Sequence, residues 1–467
     1  MKRLMRSILS LVSGDAVGRV IGFLITVYLA RMLSPDGFGI FGIGLAMLGH
    51  LQLIANPGIQ LIETRNIAAQ SGSMAERIGG VLAVRITIAT VLALLSGILL
   101  PHVVRSPELA SCILLSLLSL FPMALFVDWV LQGKEDFVPL SAGRVAGYAA
   151  YAVGVFLLVR SSADVLFAPV AFFIGNVVTA LALLGGLAMR YGVPRIVWSP
   201  PLWRAILVAN APTGAAMFFG QMVFNLPPLV VGYFLGIHDA GLYSAATKFV
   251  FLLLMGDRIL NAVLLPALTR LLAERSDEVP LVLTLIVKLI WLVGIPVGLC
   301  GVLLAPAAID FVFGEAYAGA AVVTQVLLLY VGLTLLNSLA VCTIVATKNE
   351  GAYARRMIAG SAVLAIAVIV LTPFFGVVGA AVGATVGEGV TLVLMARKAM
   401  IFQPLVRSGL TWRGALVLIP LLLTGWFVRT FHVSVAVPVL LGVWGILMVV
   451  TRVLDTNDRA RLRGLLL

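Results

Sequence analysis

The chain has 467 residues, of which 61% are hydrophobic and 11% charged. A soluble protein carries about 25% charged residues, so the composition excludes a soluble enzyme or binding domain and points to a polytopic helical membrane protein. The net charge of +12 would suit a nucleic-acid partner, but the placement of the charges along the chain argues against one.

Apolar runs of about 20 residues, each long enough to cross a bilayer, recur from end to end and predict about fourteen spans. They lie near 8–31, 37–62, 78–100, 108–131, 138–160, 165–189, 205–235, 241–268, 281–305, 319–346, 357–374, 377–396, 414–430 and 435–451. Short turns separate them, among them Ser34-Pro35-Asp36-Gly37 and Gly133-Lys134-Glu135-Asp136. The run at 205–235 is overlong and contains Pro212, Pro227 and Pro228, which predicts a kinked or broken helix.

The first span holds an acid and a base in its middle, Asp15 and Arg19, at i and i+4 on one helix face. Gly22 and Thr26 continue that face, and the rest is Val, Ile, Leu and Phe. A charge at mid-membrane costs at least about 2.5–3.5 kcal/mol, so it must face protein or a watery cavity. An ion pair that only fixes helix packing is the alternative. Lys2, Arg3 and Arg6 before this run imitate a signal peptide, but Asp15 and Arg19 interrupt the apolar region, so it is expected to be a retained first helix.

Lys and Arg alternate between loops as the positive-inside rule requires. With the N-terminus inside, only Arg31, Arg105, Arg160 and Arg429 fall in outer segments, and both termini are expected to be cytoplasmic. The outer loops are short, which leaves no room for an extracytoplasmic catalytic domain. Six bases lie within spans: Arg19, Arg85, Arg144, Lys248, Arg258 and Lys288. Arg85, Arg144 and Lys288 sit close enough to the inner ends to snorkel. Four acids accompany them, Asp15, Asp128, Asp257 and Glu388; Asp128 can pair with Arg144, and Glu388 has no partner on its own helix.

Two segments echo each other. Leu33 to Phe41 matches Leu235 to Tyr243 at an offset of 202 residues, with Gly39 against Gly241. Gly175-Asn176-Val177-Val178-Thr179 resembles Gly387-Glu388-Gly389-Val390-Thr391 at an offset of 212. A duplicated six-span unit follows: lobes at 1–200 and 201–400, and two further spans with a basic tail at 401–467. Six is even, so the copies share an orientation and are related about the membrane normal. Polar stripes lie on the expected inner faces: Gln52, Asn56 and Gln60; Asn210, Gly214, Gln221 and Asn225; Lys248, Asp257, Arg258 and Asn261. Helix-to-helix hydrogen bonding explains any one amide, whereas a hydrated cavity between the lobes explains all the stripes together. Bases exceed acids inside, which suits an anionic phosphate or pyrophosphate headgroup. Asp15, Arg19, Gln52, Asn56, Gln221, Asn225, Lys248 and Arg258 are therefore the expected cavity residues, with Asp15 and Glu388 as candidate coupling-ion groups.

The chain lacks a Walker A loop, a Gly-x-Ser-x-Gly elbow and a His-Glu-x-x-His pair. Its three cysteines and four histidines are scattered, so neither metal nor cofactor is expected.

These residues carry a family resemblance. Ser13-Gly14-Asp15-Ala16-Val17-Gly18-Arg19 and Leu29 to Gly39 resemble the polysaccharide transporter (O-antigen, Wzx-type) flippases. So do Leu131-Gln132-Gly133, Gly241-Leu242-Tyr243-Ser244-Ala245-Ala246 and Phe313-Gly314-Glu315-Ala316-Tyr317. The resemblance implies two six-helix lobes around a central cavity, as in the superfamily of drug/cation antiporters and the lipid II flippase. It also implies alternating access and a substrate carried on a polyprenyl pyrophosphate lipid, moved from the cytoplasmic to the outer leaflet of the inner membrane for surface polysaccharide synthesis. A polysaccharide polymerase and export proteins are the candidate protein partners. A drug/cation antiporter, a membrane-embedded polymerase or glycosyltransferase, and a non-transporting scramblase are the alternatives.

Overall fold

The computed structural model describes residues 2–69, 74–273, 279–347, 349–399, 419–421, 423–424, 427 and 433–451. Among them every regular element is helical. In chain order the α-helices are α1 (Lys2–Ala55), α2 (Ile59–Ala68), α3 (Met74–Val103), α4 (Pro107–Leu117), α5 (Leu120–Ala124), α6 (Asp128–Gly133), α7 (Phe137–Leu158) and α8 (Phe167–Tyr191). They continue as α9 (Pro200–Phe234), α10 (Ile237–Leu253), α11 (Met255–Ala273), α12 (Val279–Phe313), α13 (Ala320–Ala346), α14 (Glu350–Ala399) and α15 (Val433–Thr451). Nine helical stretches among the described residues are long and apolar enough to cross a membrane. The chain is thus an all-α, multi-pass membrane protein.

The longest helices are interrupted where the sequence demands it. At about 1.5 Å per residue a 54-residue α1 far exceeds a bilayer core of about 30 Å. It breaks at Ser34, with φ 60° and ψ 172°, immediately before Pro35. The 50-residue α14 breaks at Gly376, with φ 64°, a region open to glycine at no steric cost. Other boundaries differ from the sequence expectation. The run at 37–62 stops at Ala55, because Asn56-Pro57-Gly58 ends the helix and α2 starts afresh. The run at 241–268 is divided at Leu254 into α10 and α11. Conversely, α9 stays one helix through Pro212, Pro227 and Pro228; each proline forfeits only one backbone donor, a loss that neighbouring packing can carry. The expected span at 414–430 lies mostly outside the described residues.

Contacts divide the chain into two compact units, Met1–Lys248 and Phe249–Leu467. In the first, α7 and α8 form a tight antiparallel pair, and α1 packs on α4, α7 and α9. Its dense core gathers Val81, Leu82, Trp129, Val130, Leu131, Leu140 and Leu183, each at most 2% exposed. In the second, α13 packs on α11, α12 and α14 around Leu268, Val287, Leu339 and Met395. Leu94, Ile98 and Leu181 are exposed, as lipid-facing positions must be. Lipid is as apolar as leucine, so helices here associate through close van der Waals packing and polar bonds.

That packing is tightest where the duplicated segments meet. A Cβ on Gly39 would lie 2.1 Å from the Ile237 carbonyl oxygen, and one on Gly241 would lie 2.0 Å from the Pro35 carbonyl oxygen. Gly42 faces the Ser244 hydroxyl, and His238 Nδ1 lies 3.5 Å from Asp36 Oδ1. When residues are exchanged across the offset of 202, the Gly39 and Gly241 contacts map onto each other and the Gly42–Ser244 and Asp36–His238 contacts onto themselves. The first and second copies of the joint therefore meet about a local two-fold relation. The second echo is structural too. A Cβ on Gly147 would lie 1.7 Å from Thr179 Oγ1, and one on Gly360 would lie 1.9 Å from Thr391 Oγ1. Both threonines donate to the carbonyl four residues earlier, Gly175 and Gly387.

Because backbone, not a flexible side chain, occupies the space, Gly39→Ala and Gly241→Ala should each destabilise the protein by about 1–3 kcal/mol through overpacking. Thermal unfolding of the detergent-purified protein checks this; unchanged midpoints in both variants would contradict the contact.

Candidate functional site

Apolar helices position the expected cavity residues one turn at a time. Arg19 is half-buried on α1 and makes polar or electrostatic contact with its surroundings. Flanking it on the same helix, Gly18 and Gly22 accommodate the Tyr148 ring, which would lie 2.7 Å and 3.3 Å from added Cβ atoms. The α1 backbone is helical at Asp15, but the Asp15 side chain lies outside the described residues, as does that of Arg258.

The second half of α1 meets α9. The Asn225 amide sits over Gly49, where a Cβ would be 2.8 Å from its nitrogen, and the His50 and Phe218 rings are 5.8 Å apart. Gln52 lies one turn beyond Gly49 and is half-buried, as is Asn225. The stripe of Gln52, Asn56 and Gln60 is not one helix face. The break after Ala55 places Gln60 on α2, where it donates to Asp128 Oδ2 at 2.8 Å. Asn56 stays beside Gln52, whose carbonyl accepts its backbone N–H, and Asn56 Oδ1 is buried without a hydrogen-bond partner among the described residues. Gln221 is exposed, whereas Asn210 on the same face of α9 is fully buried. Contact with α2 covers α9 at Asn210 and leaves Gln221 uncovered. Lys248 is half-buried on α10 and, like Arg19, engaged with its surroundings.

Several charged groups have partners that helical periodicity did not reveal. Glu63 on α2 is fully buried and is held by Arg77 from α3 and by the Asn66 amide at 3.2 Å. Asp128 accepts from Arg144 at 3.1 Å as well as from Gln60, as the sequence suggested for Arg144. Arg85 does not snorkel. It is 4% exposed and donates to the Phe126 carbonyl at 2.8 Å and the Met123 carbonyl at 2.6 Å. The Phe126 carbonyl is available because α5 ends at Ala124, short of α6 at Asp128, whereas the Met123 carbonyl also accepts the Phe126 N–H at 3.2 Å. Lys288, also placed within reach of snorkelling, is 7% exposed.

In the second unit Glu388 is 6% exposed and accepts from Asn337 Nδ2 at 3.0 Å. The next residue of α13, Ser338, bonds to Asp257, which also accepts from Asn261 at 3.1 Å. Two carboxylates are thus held by consecutive side chains of one helix. Such an arrangement can hold a proton or a small cation.

Comparison with known proteins adds sequence and fold relations. The polysaccharide biosynthesis protein family matches residues 4–272. The succinoglycan biosynthesis transport protein ExoT of Rhizobium meliloti (strain 1021) is 28% identical over 239 residues, which span 49% of this chain and 46% of that protein. The chain thus spans about half the length of this relative. Among solved structures, lipid II flippase MurJ in an inward closed conformation superposes with a TM-score of 0.77 at 14% identity, over 95% of this chain and 99% of that one. An inward-facing multidrug resistance MATE family transporter of the MOP superfamily gives a TM-score of 0.66 at 14% identity, over 83% of this chain and 95% of that one. At such identities these likenesses establish the fold alone.

Proposed function

The chain belongs to the polysaccharide biosynthesis protein family and has the fold of the MOP-superfamily transporters, and from that premise we propose that it is a lipid-linked oligosaccharide flippase. Its substrate is an oligosaccharide on a polyprenyl pyrophosphate carrier, moved from the cytoplasmic to the outer leaflet of the inner membrane. It acts as a transporter and not as an enzyme, with both termini cytoplasmic.

One observation carries this reading: cations sit half-buried inside apolar helices, Arg19 on α1 and Lys248 on α10. Their desolvation is costly unless a protein partner, water or an anionic ligand meets them, and a shared headgroup can meet both. A pyrophosphate-sugar head, in turn, cannot cross hydrocarbon unaided. A cleft lined by Asp15, Arg19, Gln52, Asn56, Gln221, Asn225, Lys248 and Arg258 would shield the head while the tail remains in lipid. Lobes at 1–200 and 201–400 would reverse access by rocking. Asp15 and Glu388 are the proposed coupling-ion groups.

Deleting the gene should leave lipid-linked glycan on the cytoplasmic leaflet, and the wild-type gene should restore its export. Complementation with Glu388→Gln should restore export that no longer responds to a proton or sodium gradient. An unchanged leaflet distribution in the deletion strain would overturn the proposal.

A further inference from the structure

Within the first unit, α5, α7 and α8 line a half-open cavity of about 240 Å³ that the expected site residues do not line. Its walls include Arg144, Tyr148, Tyr151, Phe172, Asn176 and Thr179. We propose that this cavity receives a single pyranose ring of the transported head, as a saccharide subsite separate from the cationic path of Arg19 and Lys248. The inference rests on the flippase reading and specifies which part of the substrate is recognised where.

Three features select a sugar ring. The first is size. At about 240 Å³ the cavity is smaller than the roughly 300–1,000 Å³ of pockets that enclose drug-sized ligands, so a single ring is what its volume suits. The second is charge. The cation in the wall, Arg144, is paired with Asp128 at 3.1 Å, so the wall offers a neutral pair where a diphosphate would need uncompensated cations. The third is the lining. Tyr148, Tyr151 and Phe172 present aromatic faces suited to the C–H face of a pyranose, with Tyr151 and Phe172 in edge contact at 5.3 Å. Asn176 spends its amide N–H on the Phe172 carbonyl at 2.8 Å, and Thr179 spends its hydroxyl hydrogen on the Gly175 carbonyl at 2.9 Å. Thr179 Oγ1 is thereby left as an acceptor, and Asn176 keeps its Oδ1 acceptor and its second N–H, which sugar hydroxyls can satisfy.

The site also adjoins the charged path. Tyr148 packs on Gly18 and Gly22, to either side of Arg19 on α1. A sugar on Tyr148 would thus lie against the segment of α1 that carries Arg19, the cation expected to meet the phosphate. The duplicated position underlines the specialisation. At the offset of 212, Asn176 corresponds to Glu388, which is sealed and bonded to Asn337. The first copy keeps a neutral amide at a cavity, and the second keeps a buried acid.

The test uses the full chain in lipid nanodiscs and two probes: a polyprenyl diphosphate, and the same lipid bearing a short oligosaccharide. An aromatic face and two hydrogen bonds amount to a preference of about tenfold for the glycosylated lipid in the wild type. The Asn176→Leu/Thr179→Val double variant should lose that preference and still bind the bare lipid with wild-type affinity. Tyr148→Leu, altered on the exposed rim, should do the same and covers the case in which the double variant does not fold. Retention of the preference in folded variants overturns the subsite and leaves the flippase reading intact. Failure of the wild type to bind either lipid overturns the flippase reading itself. Equal competition by the free oligosaccharide would also overturn the subsite, by showing a soluble sugar as its ligand.

Discussion

Export of surface polysaccharide should fall at least about tenfold, the equivalent of about 1.4 kcal/mol, in an Arg19→Ala/Lys248→Ala variant whose level in the membrane is unchanged. The combination of outcomes is what matters. Each cation costs about 2.5–3.5 kcal/mol at mid-membrane, and both are half-buried rather than sealed. Their removal therefore relieves a desolvation penalty and should not unfold the protein, even though both take part in local interactions. If the two positions grip one headgroup, the single variants will not add, because they share a ligand. Arg19→Lys should fall between wild type and Arg19→Ala, since it keeps the charge but loses the planar fork that matches a phosphate. Export rates per membrane-resident protein, measured across the series, decide the matter. Undiminished export in the double variant would remove the cationic path.

The contrast between these cations and the sealed ion pairs marks how far sequence could be read. Hydropathy located the membrane helices because the bilayer imposes length and composition on each of them separately. The turn at Ser34-Pro35 was legible because backbone chemistry at that point is local. The likeness of the two joints is legible through Gly39 and Gly241, and its reason is physical: each glycine lies against the other joint's backbone. Partners across helices were a different matter. Asp128 with Arg144 was within reach because only one turn separates neighbouring helices. Glu63 was not singled out at all. Its partners Arg77 and Asn210 come from α3 and α9, and periodicity shows which face a residue occupies, not which helix covers it. For the same reason the sequence leaves Arg85 and Lys288 free either to snorkel or to be covered by protein, and the fold buries both. The helix break at Asn56-Pro57-Gly58 falls inside an apolar run, so the Gln60 side chain was assigned to the wrong face.

Glu63 also sets the second large effect. Replacing Arg77 by Ala should destabilise the protein by about 3–5 kcal/mol, because it strands a carboxylate that burial denies to water. Glu63 is 0% exposed, while the Arg77 side chain is 29% exposed, so the asymmetry is clear: the base can return to solvent and the acid cannot. Asn66 at 3.2 Å and Asn210 at 3.5 Å would remain as donors, but neutral amides do not replace a bidentate guanidinium. Against total stabilities of about 5–15 kcal/mol, such a loss should deplete the folded protein from the membrane, visible as a lower unfolding midpoint and less monodisperse protein in detergent. The Glu63→Leu/Arg77→Met variant should recover most of the loss, since an apolar pair of similar volume removes the stranded charge. Export should then follow protein level in both variants, opposite to the Arg19→Ala/Lys248→Ala case. If Arg77→Ala unfolds at the wild-type midpoint, Glu63 is reached by water in the variant, and α2 is held to α3 and α9 by packing alone.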